Sequence, residues 1–181
     1  GEPVVLPVVP GREVHHESEL AIVIGRGGRD IPRERWADHV FGYACLLDMV
    51  VRGREERVFR KAFDTFCPVG PWITTADEVG DPTSLQMRLW VGDELRQDAN
   101  TRDLVLDIPG MIEMASAVMT LHPGDIIATG TPAGVGPVVD GDRIRIEIER
   151  VGAMTVDVVQ GTGGHSAVFD EPYTPDIVKQ S

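Results

Sequence analysis

The sequence predicts a mixed, mainly β fold (α+β) with a few short helices. Twenty Gly and thirteen Pro in 181 residues suit many short strands joined by turns. Arg143-Ile144-Arg145-Ile146-Glu147-Ile148-Glu149 alternates charged and apolar residues without a fault, which marks a strand with one wet face. Tyr43-Ala44-Cys45-Leu46-Leu47-Asp48-Met49-Val50-Val51 is an almost unbroken apolar run of strand length, as expected of a strand buried on both faces. With 42% hydrophobic and 25% charged residues the chain is globular, and long enough for one domain with a real core.

Taken in order, residues 1–12 are extended, because Pro3, Pro7 and Pro10 forbid a helix. Val14 to Gly25 follows as a strand rich in β-branched residues and closed by Gly25. Gly27 and Gly28 turn the chain, and Pro32 to Val40 fits a short helix with Trp36 and Val40 on one stripe. After the apolar run, residues 52–61 are basic and fit either a helix or a loop. Phe63 to Pro71 reads as a loop held by aromatic anchors. Leu85–Val91 and Glu94–Gln97 flank Gly92-Asp93 as a hairpin. Pro109 to Thr120 has helical spacing, and His122–Asp125 turns into a strand over 126–129. Gly130 to Gly136 is too rich in Gly and Pro for regular structure. The alternating strand at 143–149 returns through Gly152 into Met154–Val159, and from Gly161 the chain is expected to be a surface tail.

The net charge of −12 argues against nucleic acid as a partner, since phosphate binding needs a basic face. An anionic small molecule stays possible, because one metal ion or a few cations invert the field of a single cleft. No stretch approaches the roughly 18 apolar residues of a membrane span, and no signal-peptide pattern opens the chain, so no membrane partner is expected. Cys45 and Cys67 have no framework spacing and read as reduced thiols of a cytoplasmic protein.

The informative charges are acids. On one strand Glu17 and Glu19 point the same way, about 7 Å apart, and repel unless water, a proton or a cation relieves them. A solvated face is the ordinary reading of such a pair. Asp48 inside an apolar run tips the balance, because a buried carboxylate needs a partner. Three carboxylates suit a hard cation, Mg²⁺ or Mn²⁺, and not zinc. His15 shares their face and is assigned a supporting or a core role rather than that of a ligand.

The order of these pieces resembles the fumarylacetoacetate hydrolase family. The likeness is carried by His15-His16-Glu17-Ser18-Glu19-Leu20, Gly42-Tyr43 leading to Asp48, and Lys61 before Phe63-Asp64-Thr65-Phe66. It continues through Leu89-Trp90-Val91 to Leu95-Arg96-Gln97, and through Gly124-Asp125-Ile126-Ile127-Ala128-Thr129-Gly130-Thr131-Pro132. The resemblance implies a β fold with few helices, a homodimer, and Mg²⁺ or Mn²⁺ held by Glu17, Glu19 and Asp48. It implies Lys61 as the active-site lysine, with Arg52, Gly130 and Thr131 binding a 2-oxo or 1,3-diketo acid. Where the family commonly has a glutamine three after the arginine, this chain has Glu55, and Gly53 also departs. Nothing matches the family's lid-bearing N-terminal segment, so 1–181 is expected to be a single catalytic domain without it.

The chemistry so implied is C–C bond hydrolysis of an acylpyruvate or fumarylacetoacetate type of acid, with cationic groups placed where an enolate develops. The same cluster also suits decarboxylation or isomerisation of an oxaloacetate-type 2-oxo acid. A metal-binding member without catalysis is the third reading.

Overall fold

The structure, a computed structural model, describes residues 1–163 and Phe169. Its strands run β1 (Val4–Leu6), β2 (Val14–His16), β3 (Ser18–Ile24), β4 (Val40–Leu47), β5 (Val50–Val51) and β6 (Val69–Thr75). They continue as β7 (Gln86–Val91), β8 (Glu94–Asn100), β9 (Ile126–Ala128), β10 (Gly136–Val138), β11 (Arg143–Ile148) and β12 (Gly152–Gln160). The α-helices are α1 (Arg57–Lys61), α2 (Ala76–Val79) and α3 (Ile108–Val118). The expectation of a mainly β fold with few helices holds.

The strands form three sheets, ordered β1-β12-β11-β7-β8, β10-β2-β5 and β6-β4-β3-β9. In the first, Ile144, Ile146 and Ile148 point inward beside Met87, Leu89 and Val91 and beside Met154, Val156 and Val158. Their charged neighbours on β11 point to solvent, so the alternation in the sequence is the alternation in space. Strand β3 is buried along its whole length. Leu20, Ile22 and Ile24 enter the main core, while Ala21 packs with Ala44 and Leu46 on the other side.

Two expected strands are each broken in the structure. The chain leaves the three-stranded sheet at Glu17 and enters the four-stranded sheet as β3. It makes the reverse change at Asp48, between β4 and β5. The last pair on one side is Ser18 with Leu47, and the first on the other is His15 with Val50. Asp48 N–H donates to the Glu17 carbonyl at 2.9 Å across the gap. Both chains bend at one level, as strands do where they switch sheets at a corner. Asp48 therefore lies at a bend and not inside a core strand.

Other expectations shift locally. Val69–Thr75 is a strand, although Pro71 suggested loop; β6 is an edge strand, where a missing N–H is tolerated. The segment Arg33–His39 is 3-10 rather than α-helical and buries no side chain. Residues 57–61 resolve the helix-or-loop choice as helix. Helix α3 begins one residue earlier than expected because Asp107 caps it, its carboxylate accepting from Gly110 N–H at 3.1 Å. The expected tail is described only to Gly163, where Val8 N–H donates to the Gly163 carbonyl; apart from Phe169 the rest lies outside the described residues.

Candidate metal centre

The corner at Glu17 and Asp48 gathers the acids. One carboxylate oxygen from each of Glu17, Glu19 and Asp48 lies within 4.8 Å of the others. Glu19 is 4% exposed and the other two are half-buried. A continuous strand would merely have placed two glutamates on one face. The break turns Glu17 and Asp48 toward Glu19, so three acids from two strands converge.

Lys61, on the last turn of α1, reaches into this cluster. Its Nζ donates to Glu17 at 2.8 Å and also to Asp48. Burial works against the lysine charge, but the two carboxylates outweigh it and raise its pKa above the ordinary value. Glu19 is not bonded to the lysine; it accepts the backbone N–H of Gly130 at 2.6 Å. Burial pushes the Glu19 carboxyl up to about 7, with the charges of Asp48 and Glu17 adding and Gly130 and Lys61 opposing.

The loop after β9 is held close to the acids. Thr129 ties it to β3: its Oγ1 accepts from Leu20 N–H at 3.1 Å, and its N–H donates to the Leu20 carbonyl. Gly130 has φ +87°, in the left-handed region, and this conformation presents its N–H to Glu19. A Cβ there would meet nothing within 4 Å, so the loop leaves open space beside the acids. Further on, Gly134 passes so close to Arg96 that a Cβ would sit 1.9 Å from its carbonyl oxygen. Gly130 and Thr131 also line a cavity of about 590 Å³ with Leu104, Leu106, Met111 and Ile127, and the acids are not among its walls.

Glu17, Glu19, Asp48, Lys61 and Gly130 are thus brought together, and Thr131 follows Gly130 directly. Arg52 is not joined to them. Its side chain is exposed and makes no hydrogen bond or ion pair among the described residues, while its N–H donates to the Glu13 carbonyl. His15 bonds Glu13 at 2.9 Å and not an acid of the cluster. Glu55, the departure from the family pattern, bonds Arg12 at 2.6 Å, so its charge is answered within the fold. Both cysteines are free thiols, Cys45 buried and Cys67 exposed.

Behind the acids lies a polar network that pattern reading missed. His16 is fully buried, and burial first, then Arg96 and His15, lower its pKa to about 4, with Gln97 opposing. Its Nδ1 lies 3.3 Å from Gln97 Oε1. The signal was present, since Gln97 is a polar residue at an inward position of β8.

An all-oxygen set of three converging carboxylates fits a hard divalent cation. Residues 1–159 match the family described as fumarylacetoacetate (FAA) hydrolase C-terminal. The chain belongs to that family. It is similar to a maleylpyruvate hydrolase from Aquipseudomonas alcaligenes, 52% identical over 81% of this chain and 51% of the relative. It is 79% identical to a solved maleylpyruvate hydrolase from Sphingobium sp. SYK-6 in complex with manganese(II) and pyruvate. That match has TM-score 0.86 and covers 88% of this chain and 60% of the other. It is also 40% identical to a 4-hydroxyphenylacetate degradation bifunctional isomerase/decarboxylase from Salmonella dublin, over 81% of this chain and 35% of the relative. This family member therefore spans about half the length of the curated hydrolase that it matches.

Proposed function

We propose that the chain is the core of a divalent-metal-dependent hydrolase cleaving a C–C bond in a small acylpyruvate-type 2-oxo acid. The observation that carries this reading is the acid–lysine cluster at the strand breaks, in a chain 79% identical to a hydrolase seen with manganese and pyruvate. Glu17, Glu19 and Asp48 would hold Mg²⁺ or Mn²⁺. Bound there, the cation supplies Lewis acidity to the oxygens of a 2-oxo acid, where negative charge gathers as the C–C bond breaks.

The chain's own groups do the rest. Lys61 places a fixed positive charge beside Glu17 and Asp48, and holds its proton at Nζ between them. Gly130 fixes Glu19 through its N–H and leaves room for a substrate over its Cα. The Thr131 hydroxyl binds the substrate carboxylate, and Arg52 offers its exposed guanidinium to an anionic acyl tail. In the same reading residues 1–181 are one catalytic domain of a cytoplasmic homodimer. Among the described residues no helix is long and apolar enough to cross a membrane.

The test is to incubate the full-length protein with Mn²⁺ or Mg²⁺ and either maleylpyruvate, fumarylpyruvate or oxaloacetate. Pyruvate released from an acylpyruvate, and lost on chelation by EDTA, is the expected result. Release of CO₂ from oxaloacetate with both acylpyruvates intact would replace hydrolysis by decarboxylation. Metal and pyruvate binding without turnover would make the chain a silent member of the family.

A further inference from the structure

Gln97 has no place in the reading above, yet it joins its two halves. It lies on β8 and is 1% exposed. Its Oε1 accepts from Ser18 N–H at 3.1 Å and lies 3.3 Å from His16 Nδ1. Its Nε2 donates to Thr131 Oγ1 and to the Pro132 carbonyl, both at 2.9 Å. A backbone N–H can only donate and a carbonyl can only accept, so chemistry alone fixes which way this amide points. Both donors and both acceptor sites of the amide are in use, in a buried place where an orphaned partner is costly. One side chain thereby ties the backbone that carries Glu17 and Glu19 to the loop that carries Gly130 and Thr131.

A threonine hydroxyl has one donor hydrogen and two acceptor lone pairs. Gln97 donates to Thr131, and so occupies a lone pair and leaves the hydrogen for another acceptor. We propose that Gln97 is a positioning residue that sets the polarity of the Thr131 hydroxyl, holding its oxygen as acceptor on the inner side and presenting its hydrogen to the substrate carboxylate. This rests on the acylpyruvate reading given above. It matters in a chain of net charge −12, where an anion can be met by a donor but not by a lone pair.

The test compares pyruvate affinity in saturating Mn²⁺, by calorimetry on the full-length protein, for wild type, Gln97→Met, Gln97→Glu, Thr131→Val and the Gln97→Met/Thr131→Val double variant. Methionine keeps the length and donates nothing. Glutamate keeps an acceptor for Ser18 but takes the threonine hydrogen for itself. Each Gln97 variant is expected to weaken pyruvate by about tenfold or more, the loss of one hydrogen bond to a charged group. Mn²⁺ affinity of Gln97→Met should stay within about threefold of wild type, and the double variant within about twofold of Thr131→Val, because Gln97 acts through that residue. Losses that multiply in the double variant, or Mn²⁺ binding that weakens in step with pyruvate, would overturn the proposal. Should Gln97→Met prove too unstable to purify, Gln97→Glu decides alone: pyruvate affinity near wild type overturns it. Since the readout is affinity, a protein that binds pyruvate but cleaves no acylpyruvate overturns the hydrolase reading and leaves the Gln97 comparison intact.

Discussion

The acids of β11 and β12 and the acids of the corner are the same residue types, put to opposite use. On the regular sheet Glu147 accepts from Arg145 at 2.8 Å and Asp157 pairs with Arg143 at 2.7 Å, all with half or so of each side chain in water. Arg145 also lies over the Trp90 ring at 4.9 Å from its centre. Each of these charges has an opposite neighbour, and β11 pairs with β12 without a register shift. At the corner three acids share one lysine, and Glu19 has none of its own. A straight strand spreads charge along a wet face, while two strands bent at one level collect it into a point. The corner gives up local electrostatic comfort for the capacity to hold a cation.

The strongest way to break this comparison is Asp48→Asn. It is expected to lower kcat/KM by about a thousandfold or more, since asparagine keeps one oxygen but loses the negative charge that would help hold the cation. Near-normal turnover would mean that the corner is only another ion-pair cluster. A second measurement sharpens the contrast through pH. Folding raises the Glu19 carboxyl from 4.5 to about 7, so the folded state takes up the proton more readily than the unfolded one. Its stabilising contribution is therefore complete below about pH 4.5 and is lost as pH rises through about 7. Glu19→Gln does not titrate. In EDTA its stability relative to wild type should grow between about pH 5 and pH 8, read from denaturant midpoints, by an amount of order a few kcal/mol at most. A difference flat across that range would show that the corner does not strain this carboxylate. The smallest effect belongs to the regular sheet. Arg143→Ala should leave the unfolding midpoint and Mn²⁺ affinity unchanged within error, because exposed pairs contribute little.

The identities of the acids were legible in the sequence, but the reason they meet was not. Alternation predicts shared faces for Glu17 and Glu19, whereas the structure brings in Asp48 by breaking two strands at once. That break depends on pairing between distant strands and leaves no local mark in either run. The inward face of β11 was readable because period two survives wherever one face is wet. Strand β6 was not, because Gly70 and Pro71 carry loop composition into an edge position. Lys61 and the Gly130 loop were placed by their order along the chain rather than by any periodicity. Arg52 shows the limit of that route, since its side chain points to solvent without a partner among the described residues. Gln97 lay in plain view in the hairpin, and only the fold reveals that its amide spans two segments.

The hydrogen bond from Gly130 to Glu19 closes a separation of 111 residues. Strand β1 likewise waits for β12, pairing Val4 with Val158. Contacts so distant along the chain form late, after loop closure has been overcome, and a topology dominated by them folds slowly. During synthesis, β3 emerges long before β9 can cover its free edge, and the acidic corner stays unfinished for that whole interval. Affinity for a divalent cation should thus arrive only after residue 130 has emerged, and would mark the docking of β9 onto β3.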